Sequence, residues 1–411
     1  MSSPRKVDGV MKHLQPLIIA TFLLGIMLTD CEALKPEPVY LTTVGHQSQP
    51  HAATLAPPAL KHNEAIKNVI LMIGDGMGLN HIWLSRIASA GTQGRLNMEC
   101  MPVSGLVTTD SASDLKTDSA AAATALATGR KTVNGMIAEL PDGSRPQTLL
   151  EKAEQCRMAT GLVVTKGVTD ATPAAFAAHY DTRDDQSAIA ADILTQGIEV
   201  IMGGGRKYWL PTAKDGIRTD GRDLTLEATR KGYRYITGRQ ELEDLNTLPV
   251  LGLWAENFMA EDSNEPSLAA MTAKAVQLLS REPGGFFLLV EGSQIDTRSH
   301  RHDVAGVVQR VLGFDDAVKE ALSFAARDGH TLVIVTADHE TGGLVVLDGL
   351  KHPEIKWSSF DHSSAPVAIF AYGPGAFNFT GVYDNTEVAI RIARLLGFTP
   401  FPEDHLSPVA P

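Results

Sequence analysis

Apolar runs rich in β-branched residues recur along the chain: NVILMIG from residue 68, TGLVVTK at 160–166, IEVIMGGG at 198–205, GFFLLVEG at 285–292, TLVIVTADHE at 331–340 and PVAIFAYGPG at 366–375. Runs with so little polar alternation suit strands covered on both faces. Between them, apolar residues return at helical spacing. Val304, Val307, Val308 and Val311, continued by Ala317, Val318, Ala321 and Leu322, make one stripe, and SLAAMTAKAVQLLS at 267–280 makes another. Alternating strands and helices predict an α/β fold: a three-layer sandwich with a central, mostly parallel sheet covered by helices on both faces. No break after residue 66 demands a second domain, so one folded domain is expected over 66–400, with a tail at 401–411.

The N-terminal pattern is different. Lys12 and His13 precede LQPLIIATFLLGIMLTD, a basic head followed by a short apolar run. This reads as a secretory leader over 1–33, with translation starting at Met11 and cleavage after Ala33. The run is short for a membrane-spanning helix, which needs about 20 apolar residues. Lipid attachment at Cys31 is an alternative that Asp30 disfavours, and an uncleaved anchor is a third. Residues 34–65, rich in Pro, His and Ala without periodicity, read as a flexible linker. The leader predicts export across the inner membrane to the periplasm, with membrane contact only through a lipid or a retained leader.

The full chain of 411 residues carries a net charge of −12 and no basic stripe, which argues against nucleic acid as a partner. An acidic chain that handles phosphate needs local positive charge, from arginine or from metals. Beyond the leader only Cys100 and Cys156 remain; their spacing offers no disulfide framework, and two separate buried thiols are expected.

Parallel sheets place ligands at the carboxyl ends of their strands. Here those ends carry Asp75, Glu291, and Asp338 with His339. Asp296 and His300 follow Glu291 closely, and His362 precedes the run at 366. One carboxylate at a strand end is usually a cap for the next helix. Together these residues form a metal-site pattern, whose oxygen and imidazole donors suit zinc and whose number exceeds the needs of one ion.

The stretch TDSAAAATALATG at 117–129 reads two ways. Ser119 reads as the cap of an alanine helix that Gly129 stops. It reads equally as a nucleophile among the free N–H groups of a helix start, and the two combine if its backbone starts the helix while its side chain faces the metals. Two metals can clamp the attacking and leaving oxygens of a phosphoryl displacement and activate a hydroxyl, so Ser119 would need no histidine base.

Six segments occur in this order: NVILMIGDGMG, TDSAAAATALATGRKTVNGMIA, TDATPAAFAAHYDTR, LLVEGSQIDTRSH, VIVTADHETGG and HSSAPVAIFAYGPGA. In them the chain resembles the alkaline phosphatase family over roughly residues 66–397. The resemblance implies a phosphomonoesterase that uses two zinc ions, one magnesium ion and a covalent phosphoserine, with small phosphate monoesters as substrates. Ser119 falls at the position of the phosphorylated serine. Asp75, Asp338 and His339 correspond to one zinc site, and Asp296, His300 and His362 to the other. Asp75, Thr172 and Glu291 correspond to the magnesium site. Arg183 matches the arginine that grips phosphate, with Asp118 in support. Asp170 corresponds to a residue that binds water on the magnesium. Taken alone, Thr172 before Pro173 would read as a helix start, and Arg183 beside Asp181, Asp184 and Asp185 as a solvated charge.

Two departures qualify the resemblance. Thr297 stands where relatives often carry Lys or His, which lowers the expected affinity for phosphate. Only 22 residues (340–361) separate His339 from His362, where relatives often insert a larger crown, so a homodimer built on that insertion is unsupported. A phosphodiesterase or sulfatase with the same metal core, and a non-catalytic metal- or phosphate-binding protein, are the alternative readings; the Asp-Ser-Ala triplet and Arg183 favour a monoesterase.

Overall fold

Asn68–Gly74 (β1) is buried at every position and lies inside a ten-stranded sheet. In this computed structural model the described residues are 65–260, 264–347 and 353–402; the leader, Cys31, nearly all of the linker and the tail from 403 lie outside them. The other strands, in chain order, are β2 (Val103–Thr108), β3 (Ala159–Gly167), β4 (Val200–Gly204), β5 (Arg234–Ile236), β6 (Val250–Leu253), β7 (Phe286–Gly292), β8 (Thr331–Thr336), β9 (Glu340–Thr341), β10 (Leu344–Val346), β11 (Ile355–Trp357), β12 (His362–Ser363), β13 (Val367–Tyr372) and β14 (Gly381–Asp384). The sheet order is β14-β2-β13-β8-β1-β7-β3-β4-β6-β5; β9 pairs with β12, and β10 with β11, outside it.

The helices are α1 (Leu79–Ala90), α2 (Ser119–Thr128), α3 (Leu149–Gln155), α4 (Ala171–Ala177), α5 (Gln186–Gln196), α6 (Leu224–Arg230), α7 (Arg239–Glu243), α8 (Leu268–Leu279), α9 (Gln294–His300), α10 (Val304–Asp328) and α11 (Thr386–Leu396). One group packs α1, α8, α9 and α10 together; another packs α2 with α4 and α11, and α4 with α3 and α5. The result is the three-layer α/β sandwich that the alternating pattern predicts. No helix of the described residues is long and apolar enough to cross a membrane.

Strands β8, β1, β7 and β3 are adjacent and mutually parallel, and among the described strands of the ten-stranded sheet only β13 runs antiparallel to its neighbours. The register sets Ile73 opposite both Glu291 and Thr336, and Val164 opposite Glu291. The carboxyl ends of four strands therefore reach one edge at one level, which is what gathers the site.

One detail decides between the readings offered by the sequence, and two differ from it. Helix α2 is capped by Asp118, whose Oδ1 accepts the amide of Ala121 at 3.0 Å, while Ser119 is the first helical residue. The displaced serine is thereby free to turn its hydroxyl elsewhere. Strands β2, β5, β6 and β14 escape the pattern, because β2 breaks its apolar run with an exposed Ser104, β5 and β14 are edge strands with exposed positions, and β6 spans four residues. Cys100 and Cys156 are separate free thiols, but Cys156 is exposed and Cys100 half-buried, since they sit at the ends of a short turn and of α3 rather than in the core.

Fully buried His81 ties α1 to α9. The amide of Gly78 donates to Nδ1 at 3.2 Å, and Nε2 meets Ser299 Oγ at 2.9 Å. Ser299 Oγ donates to the carbonyl of Ile295, so it accepts from Nε2–H and the ring is neutral. Burial pushes the pKa of His81 down from 6.5 to about 4. The unfolded chain binds this proton at a higher pH than the folded one, so the histidine's contribution is lost as pH falls from 6.5 towards 4. Between pH 7 and pH 5 it should remove about 2 kcal/mol of stability. Urea unfolding of metal-stripped protein at the two pH values should show that loss shrinking by about this amount in His81→Asn; an equal pH dependence in both proteins would contradict it.

Candidate active site

Asp75 follows β1 directly, and its neighbours explain the glycines around it. Gly76 has φ +73°, and a Cβ there would lie 2.7 Å from Thr341 Oγ1 and 2.9 Å from the Cα of Asp296. A Cβ on Gly78 would lie 2.2 Å from Cγ of Glu340. The chain after β1 thus needs glycine to let β9 and α9 close on it.

Asp75, Asp338 and His339 are buried, and one donor atom of each lies within 4.8 Å of the others. His339 Nε2 stands 3.1 Å from Asp338 Oδ2, 3.7 Å from Asp75 Oδ1 and 3.2 Å from Ser119 Oγ. Both of those carboxylate oxygens are buried and accept no hydrogen bond. Burial and the neighbouring Asp338 push the Asp75 carboxyl well above the ordinary range, as expected for acids crowded where a cation belongs. Three convergent donors and a hydroxyl beside them fit a tetrahedral zinc.

The second set is more open. Asp296 and His362 group with His339 within the same 4.8 Å. His300 reaches Asp296 Oδ1 through Nε2 at 3.1 Å, and His362 Nε2 stands 3.5 Å from the same oxygen. Burial raises Asp296, but the imidazoles of His300 and His362 together with Lys166 hold it well below the usual carboxylate range.

Hydrogen bonds on the far side of each ring choose the tautomer. His300 Nδ1 donates to the carbonyl of Phe360 at 2.6 Å, and His362 Nδ1 to the carbonyl of Thr117 at 2.8 Å. His339 Nδ1 meets Thr341 Oγ1 at 3.3 Å, and that hydroxyl already donates to Asp296 Oδ1 at 2.7 Å. Carbonyls only accept, and the threonine proton is committed, so each Nδ1 carries a proton and each Nε2 faces inward as a ligand atom.

Ser119 is 6% exposed at the start of α2. Asp118 Oδ2 accepts from the amide of Gly135 and from Arg183 Nη1, both at 3.1 Å. Arg183 Nη2 donates to Asp170 Oδ1 at 3.2 Å. Arg183 is therefore a held fork, and not the solvated charge that its acidic neighbours in sequence would make it. Burial lowers its pKa, but Asp170 and Asp118 outweigh that and raise it. Thr297 is half-buried beside Asp296 on α9 and makes no side-chain hydrogen bond among the described residues.

The third set is disturbed. Thr172 Oγ1 and Glu291 Oε2 are buried without partners, as ligands of an ion would be. Their companion oxygen, Asp75 Oδ2, accepts from Lys166 Nζ at 3.2 Å. A magnesium ion would meet an ammonium on one of its own ligand atoms, so the set does not fit it. Lys166 escaped the sequence reading, although it stands near the end of β3 as Glu291 stands near the end of β7. A search for anionic and imidazole donors passes over a lysine.

A family model described as alkaline phosphatase matches residues 66–351 and 348–398. Alkaline phosphatase 4 of Bacillus subtilis is 34% identical over 82% of this chain and 90% of its own. The structure of alkaline phosphatase from the Antarctic bacterium TAB5 superposes with a TM-score of 0.75 at 33% identity, covering 82% of this chain and 99% of that one. A variant of that enzyme with magnesium bound in its M3 site aligns to the same extent.

The hydrogen bond to Asp296 raises the pKa of His300 to about 9 in the metal-free protein. A metal takes the neutral ring, so metal binding at pH 7.5 must expel this proton. Calorimetric zinc titration in buffers of different ionisation enthalpy should show proton release, reduced by about one proton in His300→Asn. Release unchanged by the substitution would remove His300 from the ligand set.

Proposed function

The chain belongs to the alkaline phosphatase family and hydrolyses phosphate monoesters; we propose that it does so through a phosphoserine on Ser119, beside two zinc ions held by Asp75, Asp338 and His339 and by Asp296, His300 and His362. The observation that carries this reading is Ser119 Oγ, 3.2 Å from His339 Nε2 at the first position of α2. Zinc at the two sets supplies Lewis acidity and lowers the pKa of a coordinated hydroxyl.

The chain's own residues do the rest. Arg183 has five N–H donors, and pairing with Asp118 and Asp170 orients the fork while leaving donors for the non-bridging phosphate oxygens. Amides of the first turn of α2 and the helix dipole favour the same anion. Ser119 Oγ gives up its proton to solvent and bonds to phosphorus as the ester P–O bond breaks, and the leaving oxygen takes up a proton from solvent as the alcohol departs. Water then cleaves the phosphoserine and releases inorganic phosphate. The magnesium implied by the resemblance does not fit Asp75, Thr172 and Glu291 while Lys166 holds Asp75, and no step is assigned to it.

The reading extends to location and organisation. The basic head and apolar run of residues 11–28 support export to the periplasm, ahead of a catalytic domain over 66–400.

Enzyme mixed with a labelled phosphate monoester and quenched in acid should carry the label on Ser119, located by peptide mass spectrometry. Ser119→Ala should lose the labelled peptide and most turnover, by a factor of about 10² or more, while keeping its zinc. A phosphorylated residue elsewhere would refute the assignment, and metal binding without any turnover in the wild type would favour the binding-protein alternative.

A further inference from the structure

We propose that Lys166 fills the third cation position of this active site: its ammonium takes the place on Asp75 that the resemblance gives to magnesium, and the enzyme works with two metals and this lysine. The inference rests on the two-zinc reading above.

Lys166 is 7% exposed, the penultimate residue of β3. The pairing of β3 with β4 shifts register between Val163 and Gly167, an irregularity of the kind that re-aims side chains at strand ends. Its Nζ faces three carboxylate oxygens, Asp75 Oδ2 at 3.2 Å, Asp296 Oδ2 at 3.6 Å and Asp170 Oδ2 at 4.0 Å. An ammonium has three N–H donors and no acceptor, so its donors match this tripod in number. The ring of Phe258 lies 5.7 Å from Nζ and adds a π face to the acids.

The two oxygens of Asp75 are thereby divided. Oδ1 faces His339 and the first metal set; Oδ2 belongs to the lysine. Magnesium demands near-octahedral oxygens at about 2.0–2.1 Å and gives up water reluctantly. It cannot take Asp75 Oδ2 on those terms beside a second cation. Thr172 and Glu291 then keep their buried oxygens for water. Lys166 accepts no proton, so it is a positioning residue. It holds Asp75 of one metal set against Asp296 of the other, and its contact with Asp170 continues the chain of charges to Arg183.

The test is metal content, read by mass spectrometry on protein equilibrated with zinc and excess magnesium and then desalted. The wild type should hold zinc but far less than one magnesium per chain, and added magnesium should leave its Tm unchanged. Lys166→Ser should gain about one magnesium per chain and a Tm that rises with magnesium. Stoichiometric magnesium in the wild type would overturn the proposal, and that count stands whether or not the variant folds. A folded Lys166→Ser that keeps its zinc but gains no magnesium would overturn it equally, because the lysine would not be what excludes the ion. Zinc counted in the same samples reports separately on the two-zinc reading.

Discussion

Asp75, Glu291, Asp296 and Asp338 are each less than a tenth exposed, and the parallel register of β8, β1 and β7 delivers them to one edge of the sheet. Each has lost most of its water, and even after relaxation a buried ion costs several kcal/mol. Like charges this close cannot all stay ionised without compensation. Burial drives Glu291 up to about 8 in the metal-free protein. The rest of the site answers this concentration of charge. The amides of Gly76 and His339 donate to Asp338 Oδ1 at 3.0 and 2.9 Å, Lys166 binds Asp75, and three imidazoles turn their Nε2 atoms inward.

That answer is built from backbone as much as from side chains. The carbonyls of Thr117 and Phe360 set the rings of His362 and His300, so the loop before α2 and the loop before β12 are parts of the metal site without supplying a ligand. Stacking holds the second loop in place. His302 lies between Trp357 and Phe360, with ring centroids 4.8 and 4.0 Å away. Glu340 accepts the amides of Gly343 and Leu344 and bonds Ser363, which fixes β9 against β12 beside His339 and His362. A substitution in these loops would act on ring orientation before it acted on the number of ligands.

The central strands and their acidic ends were legible because a strand buried on both faces must be nearly all apolar, and a charged residue at its end then stands out. The same contrast made the buried stripe of α10 readable. What stayed hidden has physical reasons. Edge strands such as β14 are short and half-solvated, so their pattern is weak. The sequence leaves Asp118 and Ser119 both open as caps of α2, because the choice depends on what else competes for the serine, and His339 lies 220 positions away. Arg183 was legible through the resemblance alone; by itself, among aspartates, it looks solvated until Asp118 and Asp170 are seen to hold it. Lys166 looks like the end of a strand until the fold brings Asp75 and Asp296 to it, since lysine is rarely buried without such partners.

Thr297 and Lys166 bear on one question, where this active site keeps its positive charge. A cation at position 297, as the resemblance would have it, would face bound phosphate; a neutral threonine stands there instead. The buried cation lies on the β3 side, among Asp75, Asp296 and Asp170. A charge facing the substrate strengthens the hold on substrate and product alike. A charge beneath the metal ligands acts on the carboxylates that define the two sets, and phosphate feels it only through them. The orientation of Arg183, the cation proposed to grip phosphate, rests on Asp118 and Asp170. Asp170 lies within 4.0 Å of Lys166 as well, so the lysine that organises the metal ligands also steadies the arginine fork. A single buried ammonium thus borders both the carboxylates of the two metal sets and the carboxylate that orients Arg183.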